Sequence, residues 1–456
     1  MITLTSWHHL RTWKLPLVQL ISQLPKAPLG YAVESATITH LLGDPIDSLA
    51  ATLVTLAQCQ ARAKLAQNAC GIVGLRQGNA EYDRAWKALS IIMVSYDECG
   101  RQDKAIEAHQ HFLAFSRRTN MGLGMTSPRD LAVQDAFAYV FDETAHSLAA
   151  DRSTKSLPVF FSELIFIGGW IIALIKTGSS DPGPANWVNV EAQSVAISAM
   201  FLWVTALVVL GAIVGVGQSE DSAPRILQRY EYDIRAMREQ DQPKPSASLR
   251  GKVTWCLRST ERAASGGMYS WKPKKWEETA RGTVIFHCLI AISVVGVSYL
   301  TAAVLSDLVS PRGLGCRHVV ESVIFAFWFL SFAVECVLEL LLREKAFWPV
   351  FWKDTFVSLA VVAVVLVTQW GIMNRCACWS SWGKVGVHLP QMPEVRQELM
   401  HYIHGVAPWI TFMAVLLQLL FCGLAVWMYL DAIRVFIQRD DGKSNCFWRN
   451  KTVRRN

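Results

Sequence analysis

Five stretches of this chain, residues 192–217, 283–305, 319–342, 355–373 and 406–430, are apolar over about the 20 residues that a helix needs to cross a bilayer. Hydrocarbon offers no partner for backbone polar groups, so a crossing segment must satisfy its own, as a helix does. The pattern predicts an all-α fold, a polytopic membrane helix bundle. A sixth stretch, 159–175, is weaker, because Glu163 stands in its first turn and Lys176 closes it. Composition points the same way, with 52% hydrophobic and only 18% charged residues. The opening "MITLTSWHHLRTWK" has neither an apolar core nor a small-residue cleavage site, so no cleavable signal is expected.

The placement of Lys and Arg decides the sixth stretch. With six transmembrane helices and a cytoplasmic N-terminus, the inner segments 218–282, 343–353 and 431–456 hold 13, 3 and 7 Lys or Arg, while the outer segments 177–191, 306–318 and 374–405 hold 0, 2 and 3. Basic residues near helix ends stay on the cytoplasmic side, so both termini are expected there. Dropping the sixth stretch would put the most basic loop outside. The expected organisation is a helical N-terminal cytoplasmic region (1–158), two spans (159–217), a basic cytoplasmic loop (218–282), four spans (283–430) and a basic cytoplasmic tail (431–456). Trp348 and Trp352 on the inner side, with Trp370, Trp379 and Trp382 on the outer, suit the two interfaces with the lipid bilayer. Both the endoplasmic reticulum and the plasma membrane fit this pattern.

Within 1–158, residues 47–68 and 81–118 read as helix, with Leu89, Ile92 and Tyr96, then Ala105, Ile106 and Phe112, at helical spacing around a break at Gly100. This predicts a helical hairpin capping the bundle. Tyr96, Gly100, Ala105 and Ile106 also match part of a tetratricopeptide unit, whose arrays need about three copies. In the loop, "QRYEYDIRAMREQ" reads as a charged helix, and "SGGMYSWKPKKWEE" suits an anionic leaflet rather than nucleic acid. Neither a phosphate-cradling loop nor a resident cofactor is expected.

Two groups of residues carry candidate chemistry. Cys316, Cys376 and Cys378 fall in outer loops, where the compartment is oxidising, so a disulfide from Cys316 to either of the others is expected. A metal site that joins these thiols to His318, to His388, or to the i, i+3 pair His401 and His404 is the weaker alternative, since only one residue separates Cys376 from Cys378. The second group is polar and intramembrane: Glu163, His287, Glu335 and Glu339 all fall in the cytoplasmic third of their spans. Ionisable groups there usually face a bundle interior. Ser331, Glu335 and Glu339 repeat every four residues and share one helix face. Such a group can bind a cation, relay protons or act on a lipophilic substrate. Snorkelling, with Glu339 paired to Arg343, is the structural alternative.

Further order stands out in Trp187 with Asn189, Glu191 and Ala192, in Gly217-Gln218, in 224–227 ("PRIL"), in 266–273 ("GGMYSWKP") and in 315–318 ("GCRH"). Over about residues 158–342 this arrangement resembles a family of uncharacterised multi-pass membrane proteins of filamentous fungi. The resemblance implies a fungal origin and a membrane domain of about six spans, and it carries no assigned catalytic residues; some fungal membrane proteins serve secondary-metabolite pathways, which is the general expectation for its role. Motifs for known membrane enzymes are missing from the sequence. The functional expectation is a non-enzymatic protein that helps to move a small lipophilic molecule or scaffolds pathway enzymes. An intramembrane enzyme with Glu335, Glu339 and His287 as acid and base is the alternative.

Overall fold

The computed structural model describes residues 14–23, 31–120, 128–153, 156–179, 186–217, 221–238, 281–308, 316–342, 347–369, 401 and 405–437. The N-terminal region opens with α1 (Lys14–Ser22), α2 (Tyr31–Gly43) and α3 (Pro45–Ile72). Pro45 stops one helix and starts the next, because proline fixes the φ of a first helical residue and needs no donor there. Asp44 caps α3 by accepting a hydrogen bond from the Asp47 backbone N–H at 3.1 Å. The expected hairpin follows as α4 (Ala80–Glu98) and α5 (Gln102–Asn120). Gly100 turns the chain between them at φ 72°, a region where only glycine sits without strain. Next come α6 (Pro128–Asp151), β1 (Arg152–Ser153) and α7 (Ser156–Ser179).

The membrane domain continues with α8 (Asn186–Ala199), α9 (Trp203–Val214) and β2 (Val216–Gly217), the last paired antiparallel with β1. The charged helix expected in the basic loop forms as α10 (Ser222–Arg238). The remaining described helices are α11 (Arg281–Leu308), α12 (Cys316–Leu342), α13 (Phe347–Gln369), α14 (Ala407–Met428) and α15 (Leu430–Ile437).

Among the described residues, five segments are long and apolar enough to cross a membrane: Gln193–Ile213, Arg281–Asp307, Arg317–Leu342, Trp348–Thr368 and Ala407–Met428. The protein is an all-α polytopic bundle. The sixth expected span lies in α7, whose described apolar part, Pro158–Ile172, is shorter than the other five. The first of the five is interrupted, because the N–H groups of Met200, Phe201 and Leu202 bond three residues back, to Ile197, Ser198 and Ala199. Such tight turns break the α-helical ladder, and they persist here because protein rather than lipid surrounds the segment. The other four spans turn apolar faces outward, with Leu300, Leu330, Phe356 and Leu420 exposed. A continuous outer surface of this kind contacts the lipid bilayer.

Helices from 1–158 enter two cores. Leu17, Leu20, Leu41, Ile46, Leu49 and Leu53 are buried with Trp170, Trp203, Val295, Trp328 and Ala414 of the membrane helices. α2 lies antiparallel along α13: the Ser358 hydroxyl donates to the Thr39 carbonyl at 2.6 Å, and Gly43 sits against Asp354. The second core joins the far half of α3 to α4, α5, α6 and α10, around stacked Phe112, Phe115, Phe137 and Phe141. A two-pronged pair between Arg62 and Asp97 ties α3 to α4, at 2.7 and 2.9 Å.

Candidate functional site

Among the described residues, the densest collection of ionisable groups lies where the end of α2 and the start of α3 meet α12 and α13. His40, Asp44, Asp47, Glu335 and Asp354 are almost wholly buried, and Lys353 shows only a small part of its side chain. Each is placed by local structure. His40 ends α2, Asp44 is the cap of α3, and Asp47 sits in its first turn, where the helix dipole favours a carboxylate. Glu335 and Ser331 project from one face of α12, four residues apart, while Lys353 and Asp354 stand two turns into α13.

Lys353 is the hub. Its ammonium lies 2.6 Å from Glu335 Oε2, 2.9 Å from Asp44 Oδ2, 2.9 Å from Asp354 Oδ1 and 2.9 Å from the Ser331 hydroxyl. Helices α12 and α13 and the α2–α3 junction are thereby held through one cation. His40 is the second hub, with Nδ1 2.8 Å from Asp354 Oδ2 and Nε2 3.1 Å from Asp47 Oδ2. Two carboxylates on the two ring nitrogens suit the doubly protonated imidazolium, in which both nitrogens donate.

Charge balance follows from the count of groups. Four carboxyls face two basic groups, so full ionisation would leave uncompensated negative charge in a dry interior, which is costly. Burial raises the Asp44 carboxyl to about 6, although Lys353 pulls the other way. Burial likewise raises Asp47, with His40 opposing. For His40, burial favours the neutral ring, but the Asp354 and Glu335 carboxylates outweigh it and hold its pKa well above the ordinary value. Asp44, Asp47 and His40 therefore hold protons that the same groups would release in water.

His40, Glu335 and Asp354 also present one ligand atom each within 4.8 Å of one another, a spacing that a metal ion could use. The Lys353 ammonium already stands against both carboxylates of that trio. The donor set thus fits a resident lysine cation better than a divalent ion.

The residues singled out in the sequence do not gather into one site. Glu335 joins the network above. His287 of α11 is hydrogen-bonded through Nε2 to the Tyr429 hydroxyl, between α14 and α15. Glu163 of α7 faces Thr205 of α9 instead. The side chains of Glu339 and Cys316, and the whole of Cys376 and Cys378, lie outside the described residues. Four other cysteines, Cys59, Cys70, Cys99 and Cys422, are buried in the two apolar cores, as expected of small hydrophobes.

Sequence reasoning missed His40, Asp44, Asp47, Lys353 and Asp354. One signal was present: "ATITHLLGDPIDSLAATLVTL", residues 36–56, is a largely apolar stretch whose ionisable groups all fall at its helix junction. Compared with protein-family models, with curated proteins and with solved structures, the chain matches none.

Proposed function

We propose that this multi-pass membrane protein is non-enzymatic and assists the transport, or the scaffolded production, of a small lipophilic molecule, with the buried network as its proton-responsive element. One observation carries this reading: six ionisable side chains from four helices are sealed together with an excess of carboxyls. Adding or removing a proton changes the charge of that joint and so biases how α2 and α3 pack on α12 and α13. Intramembrane ionisable groups of this kind commonly serve proton relays and coupled transport. The acid–base alternative asks Glu335 and His287 to act on one substrate, yet each is held by a different partner. In this reading both termini are cytoplasmic, as the Lys and Arg distribution favours, and the basic loop and tail are the surfaces open to pathway enzymes.

The test is deletion of the gene, with small molecules measured separately in cells and medium, followed by complementation with wild type or Glu335→Gln. The expected result is a metabolite retained in cells while total synthesis stays normal, restored by wild type and not by the variant. Loss of total synthesis at one intermediate would replace this reading with the enzymatic one.

A further inference from the structure

Glu163 occupies the middle of the buried face of α7. Val159, Phe166 and Trp170 lie on that face with it, at helical spacing, while Phe160, Phe161, Leu164, Ile165 and Ile172 point outward. The carboxyl therefore turns into the bundle rather than toward an interface. It is 7% exposed, and neither of its oxygens has a hydrogen-bond partner. Two groups face it: the Thr205 hydroxyl of α9, itself buried without a hydrogen bond, and the Cys422 thiol of α14. Among the described residues that act on Glu163, none is a lysine, arginine or histidine.

A carboxylate with no cation beside it and only one hydroxyl facing it does not persist in an apolar interior, and the group takes up a proton instead. The side chain is closed off from solvent, and a proton is the ligand that needs no cavity. Thr205 closes the break that opens at Met200, since its own N–H still bonds three residues back, to the Leu202 carbonyl. Interrupted membrane helices recur at ion and substrate sites, because the break lets one half move against the other.

We propose that Glu163 is a proton-binding site inside the bundle, separate from the His40–Lys353 network, which opens to water when α9 moves about the break at Met200–Leu202. On opening, the carboxylic acid gives its proton to water. Closure requires a proton back, so movement of α9 and proton exchange are coupled. The site shares no residue with the network and stands whether or not the network acts in transport.

The test is infrared spectroscopy of the full-length protein in lipid vesicles, wild type against Glu163→Gln, which keeps the shape and removes the acid. The expected difference is one C=O stretching band of a protonated carboxylic acid, present in wild type and lost in the variant. Superimposable spectra in that region overturn the proposal. Should the variant not fold, wild-type protein is treated with dicyclohexylcarbodiimide, which attacks protonated carboxyls in apolar surroundings, and its peptides are analysed by mass spectrometry. An adduct on Glu163 supports the site, and its absence overturns it.

Discussion

Gly43 and Asp354 meet backbone to backbone: a Cβ placed on Gly43 would stand 2.6 Å from the Asp354 carbonyl oxygen and 2.9 Å from its Cα. The end of α2 can lie this deep on α13 only because that position lacks a side chain, and the approach brings His40 within reach of the Asp354 carboxylate.

Gly43→Ala should therefore force the two helices apart, at a cost of about 1–3 kcal/mol. Gly71→Ala is the matched control, since nothing lies within 4 Å of a Cβ there. Thermal unfolding of the purified protein checks the pair. A melting temperature unchanged in Gly43→Ala would show that the contact does not hold α2 in place.

Lys353 compensates Asp44 at the α2–α3 junction, Glu335 on α12 and its own neighbour Asp354. Removing it as Lys353→Met leaves them buried without their main counter-ion, and breaking a buried pair in this way costs on the order of 3–5 kcal/mol. The double variant Lys353→Met, Glu335→Gln should recover part of that loss, because one orphaned charge is gone. A double variant no more stable than the single one would mean that Glu335 and Lys353 are not coupled.

The pH response has a defined sign. The Asp44 carboxyl rises from an ordinary 3.8 to about 6 through burial, so between those values the folded chain holds a proton that the unfolded chain has lost. Its contribution to stability is fully present below about 4 and is lost as pH rises through about 6. His40 acts in the same direction: its contribution is present below the ordinary 6.5 and fades as pH climbs through the higher folded value. Asp44→Asn keeps a good helix cap and removes the titration. Melting temperatures measured from pH 4 to 7 should show a smaller acid stabilisation in Asp44→Asn than in wild type. Parallel curves would remove Asp44 as a proton site.

The spans were legible in the sequence because the bilayer imposes length and apolarity on each segment independently of every other. Glu335 was legible for a related reason, since a carboxylate in hydrocarbon stands out against its own helix. Its partners were not. His40 contacts Asp354 across 314 residues of chain, and nothing local to "THLLGDPID" distinguishes a junction buried in a bundle from the start of a soluble helix. The interruption of the span at Met200–Leu202 was hidden too, because "SAMFLWV" carries neither proline nor glycine to announce it. Gly100 shows the opposite case, where a single residue type at helical spacing foretold both the turn and the hairpin.

Topology can be checked without a structure. The Asn-x-Ser/Thr acceptor at Asn450-Lys451-Thr452 lies in the basic tail, outside the described residues. With the tail cytoplasmic, Asn450 should carry no glycan in a eukaryotic host. A mobility shift removed by a glycosidase and absent in Asn450→Gln would invert the orientation, and the expectation of an oxidising environment for Cys316, Cys376 and Cys378 with it.

Trp328 joins the network to the apolar core. Its indole N–H donates to the Leu42 carbonyl at 3.0 Å, and its ring meets Phe201 and Trp203 edge to face. Leu42 is two residues past His40, so this bond helps to hold the end of α2, while Phe201 lies within the break in the neighbouring span and Trp203 follows it. Trp328→Phe keeps most of the ring packing and leaves the Leu42 carbonyl without that donor, a loss of about 1–3 kcal/mol. Because the same bond positions His40, the variant should also weaken the acid stabilisation that wild type shows. A variant that loses stability equally at every pH would mean that Trp328 supports the core alone and leaves His40 where it was.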